Sequence, residues 1–513
     1  MSEFSKTLKK HISEQNIPIH FLSKSSGMER TSLQHMLTGK YVPANVEAVE
    51  KVINAMTLSP MQREELLHLY HIARIGEDVY RRHQYIKTIL ESVNTLNQPA
   101  VPIYNTSYNH VFPFSSAANA ITGIHNVNSV IKAVLEAECS ANSGFIKFII
   151  QPEYSFLLDL LLTIGNGNPA LPIEHVFCMH QDTDAAPDQL YNLQCLKQIF
   201  PLMLSGCNYN PAVYYDNVDS HINNTSVFPY LILTSDKVVC ISYDLSYATL
   251  YLDPAVHSLY QTQFTHLQHL CRAIVTKIED PMSLFLQLAD YEQKNLKRNA
   301  PSFAYSLFTQ PCFLYCADRY LYDKYMYPMP GKNEIVDLYA ARSTLYFDAI
   351  KNGYVYTSYF TLEGLDEFWR TGRINELPDD FYSPLEPDDR LLLIERIIDL
   401  AAGSPFQTIA INLDQMDVPS NFIMSALVEN MLIFFYVHPQ KGFMHFVFNE
   451  LSIIKSFSSF ISYLKNSEMV IPAEETLQLL REKLRQYQQE LAQAAAQSKT
   501  PGFAALSTRC QAL

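Results

Sequence analysis

The sequence predicts a multidomain protein: an all-α N-terminal domain, then a mixed α/β body, then a C-terminal helix. Three observations carry this expectation. Apolar residues recur at helical spacing from Phe4 to Met56. Beyond residue 115, helical and extended segments alternate, each strand-like run bounded by turn formers. Near the end, Leu477, Leu480, Leu484, Tyr487 and Leu491 step by three and four along one helical seam. A length of 513 residues suits about three domains.

Composition narrows the classes further. Hydrophobic residues at 48% and charged residues at 18% exclude a wholly disordered chain. No window approaches the roughly 18 apolar residues of a membrane span. The richest run, Phe156 to Ile164, is about half that length and carries Asp159. The opening Met1-Ser-Glu-Phe-Ser-Lys6 lacks the layout of a secretory signal. Nine cysteines, an odd number with Cys312 and Cys316 as the only close pair, read as reduced thiols. The expected location is the cytoplasm. The net charge of −14 is divided unevenly, with +2 and six histidines in the first hundred residues and −16 beyond them. An acidic body repels nucleic acid, so any polyanion contact belongs to the first hundred residues.

Within that region Phe4 to Gln15 forms one helix, with Phe4, Leu8 and Ile12 inward, and Ile19 to Ser25 a second after Pro18. Gly27 supplies the positive φ of a tight turn. Glu29 to Thr38 forms a third helix, with Leu33, Met36 and Leu37 inward and Gly39 as its C-cap. After Pro43, Val46 to Met56 forms a fourth, carrying Val46, Val49, Val52 and Ile53.

This run resembles the Cro/repressor-type helix-turn-helix (XRE) family. Leu22-Ser23, Gly27-Met28 at the turn, Leu33, Gly39-Lys40, Pro43 and Ile53-Asn54-Ala55-Met56 carry the likeness, over residues 4–57. The resemblance implies that the third helix enters the DNA major groove. Arg30, Thr31 and His35 would then face bases, with Gln34, Thr38 and Lys40 near phosphates. Arg can fork onto guanine, and Thr offers a hydroxyl or a methyl. The chain departs from the family at Pro18-Ile19, where a polar cap is usual, and at Glu29, where Ser or Thr is usual. Glutamate suits a helix N-terminus but sits poorly beside phosphate. The plainer reading is a helical bundle used for protein contacts.

Ser59-Pro60-Met61-Gln62 starts another helix by a capping box, which passes Ala73 and resumes after Gly76 to about Leu96. Arg74, Arg81 and Arg82 read as a solvated face or as a second phosphate contact. In the body, Ser116 to Cys139 reads as a helix and Phe145 to Ile150 as a strand. Ile173 to Met179 is a further strand, and Asp253-Pro254 opens a helix to about Val275. Two hairpin-plus-helix units recur, with Asp253 opposite Asn449 and Phe264 opposite Phe460, which suggests two related α/β halves. The segment order resembles a phospholipase D-like fold. None of the sixteen histidines has the Lys two positions later that the catalytic form of that fold requires, so the resemblance is to a non-catalytic version.

The expected divisions are a helix-turn-helix domain at 1–58, a helical connector at 59–97 and a linker at 98–114. The α/β sensor halves follow at 115–295 and 296–468, then a C-terminal helix at 469–495 and a disordered tail at 496–513. No glycine loop for phosphates, His-Glu-x-x-His or Gly-x-Ser-x-Gly occurs. Cys178 and His180, near Asp182 and Asp184, read as a strand end entering an acidic loop, or as a metal or nucleophile site. The 32 tyrosines, dense between Tyr315 and Tyr327, fill a wet-edged core or line a pocket. The seam after Pro472 packs on the body or extends a dimer interface.

Together these readings predict a bacterial-type transcriptional regulator, not an enzyme, with no metal or cofactor. Its partners would be double-stranded DNA with a pseudo-palindromic operator, a second copy of itself and a small-molecule or protein effector, and no membrane. A protein-interaction scaffold and a phosphodiesterase-like enzyme are the alternatives.

Overall fold

The computed structural model describes residues 2–96, 118–141, 143–181, 190–218, 226–278, 280, 283, 286, 303–403, 405–427 and 431–498. The expected linker, residues 182–189 with Asp182 and Asp184, and residues 499–513 lie outside the described residues.

The N-terminal region is all α: α1 (Glu3–Glu14), α2 (Ile19–Ser26), α3 (Arg30–Thr38), α4 (Val46–Asn54), α5 (Pro60–Ile75) and α6 (Glu77–Leu96). Its core joins Phe4, Leu8, Leu22, Leu33, Met36, Val49, Val52, Leu66 and Tyr70, one apolar stripe from each of the first five helices. Ser59 caps α5 with both bonds of the capping box, Gln62 answering it.

The chain then forms β1 (Ala118–Thr122), α7 (Ile124–Cys139), β2 (Ile146–Ile149), α8 (Ser155–Gly167), β3 (Ile173–Met179), α9 (Leu190–Leu204) and β4 (Tyr209–Tyr215). After these come β5 (Tyr230–Leu233), β6 (Val238–Ile241), β7 (Tyr247–Tyr251), α10 (Pro254–Leu270), β8 (Arg272–Ala273) and β9 (Val275–Ile278). The eight-stranded sheet runs β1-β7-β6-β5-β2-β3-β4-β8. Its β2-β3-β4 strands are parallel and its other pairs antiparallel. Two expectations are corrected here. Residues 116–139 are not one helix: Gly123, at φ 91°, turns the chain between β1 and α7. The helix expected to reach Val275 stops at Leu270, where Cys271 is extended and the β-branched residues that follow enter a strand.

Next are β10 (Phe303–Leu307), α11 (Arg319–Tyr325), α12 (Lys332–Lys351), β11 (Val355–Phe360), α13 (Leu362–Thr371), α14 (Pro387–Ala402) and β12 (Phe406–Ala410). The last elements are β13 (Phe422–Leu427), β14 (Met431–His438), β15 (Gly442–Phe448), α15 (Leu451–Tyr463) and α16 (Ala473–Ser498).

The chain divides into two compact units that interleave in sequence. One comprises Met1–Asp290, Ala304–Phe308 and Asn412–Val470, and so holds the N-terminal helices, the eight-stranded sheet, β13 to β15 and α15. Within it β13, β14, β15 and β9 form an antiparallel run in that order. The other unit carries the parallel pair β11–β12 with α11 to α14 and α16. There Leu480 and Tyr487 of the C-terminal seam are buried, and Tyr487 stacks on Trp369 with ring centroids 4.8 Å apart. Tyr315, Tyr322 and Tyr325 are buried in the same unit, as core residues.

Candidate nucleic-acid interface

The turn between α2 and α3 is built by Gly27, at φ 70°, and by two serines. Ser26 Oγ donates to Leu22 O at 2.6 Å and accepts from Met28 N, while Ser23 Oγ donates to Met28 O at 2.7 Å. Leu33, Met36 and Leu37 anchor α3 on the bundle, and Ser5 Oγ donates to Met36 O from α1 at 2.8 Å. Burying that stripe leaves the opposite face to solvent. All six sequence-predicted residues, Arg30, Thr31, Gln34, His35, Thr38 and Lys40, are exposed. Arg30, Gln34 and Thr38 form one i,i+4 row and Thr31 with His35 the next, so five of them share a helix face. Lys40 follows Gly39, whose φ of 74° closes the helix with Lys40 N bonded to His35 O at 2.9 Å.

The groups on this face differ in readiness. The Thr38 hydroxyl turns back onto its own helix, 2.9 Å from Gln34 O and 3.1 Å from His35 O. Glu29 occupies the N-cap position of α3 without a side-chain bond, as Pro18 does for α2. Nearby acids are answered by other lysines: Glu3 by Lys6, Glu14 by Lys10, and Glu47 by Lys51. Among the described residues no ion pair involves Lys24, Arg30 or Lys40. The Lys51 hydrogen bond holds Glu47 below the usual carboxylate range, whereas burial raises Glu50 despite the charge of Arg63. Phe21 and Tyr41 are exposed on either side of α3 in sequence. Arg74 and Arg81 are also exposed, and Arg82 is half-buried.

The other chemical candidates are held differently. Cys178 is fully buried, and burial pushes its thiol up to about 12. His180 is fixed by its main chain, whose N–H and C=O both bond the Asn192 amide at 3.0 and 2.9 Å. Among the described residues no group of three His, Cys, Asp or Glu side chains is placed to hold a metal ion.

A second cluster went unread in the sequence. His71 of α5 is 2% exposed, with Nδ1 2.8 Å from the Tyr463 hydroxyl and Nε2 2.6 Å from Glu468 Oε2. Burial alone would raise Glu468, but the hydrogen bond and charge of His71 bring it below the ordinary carboxylate range. Tyr80 stacks on His71, and on α6 the His83 Nε2 lies 3.0 Å from Ser459 Oγ. Tyr70, beside His71, donates its hydroxyl to Pro43 O at 3.0 Å. The signal available was the excess of histidine in the first hundred residues, but not the partners, which lie nearly four hundred positions away.

No protein-family model and no curated protein matches the chain. Solved structures with some likeness include TrmBL2, an archaeal chromatin protein, at 12% identity and TM-score 0.22 over 53% of this chain and 100% of that one. Polyphosphate kinase from Porphyromonas gingivalis gives 8% identity and TM-score 0.24 over 70% of this chain and 49% of that one. Phosphatidylserine synthase from Haemophilus influenzae gives 7% identity and TM-score 0.25 over 74% and 93%. Likenesses of this size assign no function. No helix among the described residues is long and apolar enough to cross a membrane.

Proposed function

We propose that the chain is a sequence-specific DNA-binding transcriptional regulator of the Cro/repressor type, with α3 as the helix that reads the major groove. The observation that carries this reading is the α2–Gly27–α3 unit, whose apolar stripe is buried while Arg30, Thr31, Gln34, His35, Thr38 and Lys40 stand exposed. Arg30 and Thr31, in the first turn of α3, meet base edges; Lys40, beyond its end, meets phosphate. One such unit neutralises few phosphates, so the regulator acts as a homodimer on a pseudo-palindrome. The acidic body senses a ligand or partner in the bacterial cytoplasm and performs no catalysis.

The test is binding of the full chain to genomic fragments around its own gene at two salt concentrations. Arg30→Ala is expected to relax base preference at one position, at a cost of about 1–3 kcal/mol on the cognate site. Lys40→Ala is expected to weaken all sequences alike and lower the salt slope by about one. Equal loss on every sequence from both variants refutes the groove assignment. Absence of salt-sensitive retention favours the scaffold reading, which the exposed Phe21 and Tyr41 support.

A further inference from the structure

In α5 two adjacent buried residues, Tyr70 and His71, hold two different parts of the same compact unit. Tyr70 is fully buried, packs edge-on against Phe4 with centroids 5.7 Å apart, and donates to Pro43 O. Pro43 lies in the segment that leaves α3, three residues past Lys40. His71, the next residue, is bonded on both ring nitrogens to Tyr463 and Glu468, at the end of α15 and just beyond it. Successive residues of a helix point about 100° apart, so one rigid turn carries both connections. Neither side chain has solvent on which to slip.

We infer that α5 is a mechanical link that couples the 463–469 turn to the Lys40–Pro43 segment beside α3. A change at the turn, such as weakening of the charged Glu468 acceptor, shifts His71, and the same helical turn then shifts Tyr70 and its hold on Pro43. His83 on Ser459 and Asn94 on Asp417 continue the hold along α6, so the displacement is not absorbed by the connector. The coupling is a free energy between two sites, and is therefore reciprocal. Its consequence for DNA rests on the function proposed above, while the coupling itself does not.

The experiment is amide hydrogen exchange, read by mass spectrometry, on the full chain and on Glu468→Gln, Tyr463→Phe and Tyr70→Phe. Tyr487→Phe, in the other unit, serves as control. Residues 39–45 report one end, where Lys40 N and Tyr41 N are bonded to His35 O, and residues 463–469 report the other. Loss of one hydrogen bond, or of its charge assistance in Glu468→Gln, predicts exchange about two- to tenfold faster. Glu468→Gln and Tyr463→Phe are expected to produce it at both ends, Tyr70→Phe likewise, and the control at neither. If Glu468→Gln does not fold, Tyr463→Phe, which removes a single hydroxyl, decides. An effect of the turn variants confined to 463–469 overturns the link. Coupled exchange in the variants, together with a wild type that retains no DNA, refutes the DNA reading and leaves the link standing.

Discussion

Acidification should loosen the seat of α6 on α15, because His83 is held there as a neutral base. Its ring is 3% exposed, Nε2 lies 3.0 Å from Ser459 Oγ, and Nδ1 meets no polar partner among the described residues. Burial, supported by the charges of Arg82 and His71, pushes its pKa down from 6.5 to about 4. A folded pKa below the unfolded one means that the unfolded chain binds the proton first. Above pH about 6.5 the imidazole is neutral in both states and its seat is fully stable. Stability is lost as pH falls from there to about 4, and no further loss comes from this group below that. That interval, at about 1.4 kcal/mol per pH unit, sets the loss at roughly 3 kcal/mol.

A global melt would mix this loss with others, since burial also lowers His175 to about 3. The assay is therefore deuterium exchange at the imidazole C2 position, which reads each histidine separately. A His83 midpoint near 4, with α6 losing amide protection between pH 6.5 and 4, is the expected result. His83→Gln should remove the pH dependence of that protection. A midpoint at or above 6 refutes the account of a desolvated neutral ring.

An added Cβ at Gly364 would stand 1.9 Å from Thr309 O, so Gly364→Ala should destabilise its unit by about 3 kcal/mol. Denaturant unfolding followed at Trp369, the chain's single tryptophan, measures it. Gly27 has open space where a Cβ would go but a φ of 70°. Gly27→Ala should accordingly cost only about 1 kcal/mol, with Gly27→Asn cheaper, in thermal unfolding followed by helical circular dichroism. Ser59→Ala removes the hydroxyl half of the α5 capping box and should cost about 1 kcal/mol, seen as faster amide exchange at residues 60–63.

What the sequence showed well is what neighbouring residues decide. The α2–α3 turn, the Gly39 cap and the Ser59 capping box depend on groups a few positions apart, and each stands where the pattern put it. The repeated hairpin and helix was legible for the same reason. Phe264 and Phe460 are both buried, though the second helix is capped by Glu450 rather than its neighbour Asn449. Longer-range pairing was not legible. β1 reads as helix until Ala118–Thr122 is seen to pair with Tyr247–Tyr251, and β4 needs β3 to satisfy its backbone. The tyrosine-dense stretch concealed α11, because exposed Tyr320 stands beside buried Leu321, Tyr322 and Tyr325, so residue type does not mark the inward face.

The candidate site divides along the same line. The exposed face of α3 follows from the positions that must be buried, so a single sequence suffices to name it. The His71 and Tyr70 connections join residues far apart in the chain, and only a folded structure brings them together. That separation has a physical consequence. A reading face specified locally can form within its own bundle, whereas its coupling to a distant turn exists only when the whole unit is folded. The net charge of −16 beyond residue 100 adds to this: it opposes the approach of a polyanion at every sequence alike. Under the proposed function, specific contacts from α3 must therefore supply the surplus, and a link that shifts the Lys40–Pro43 segment acts where that surplus is made.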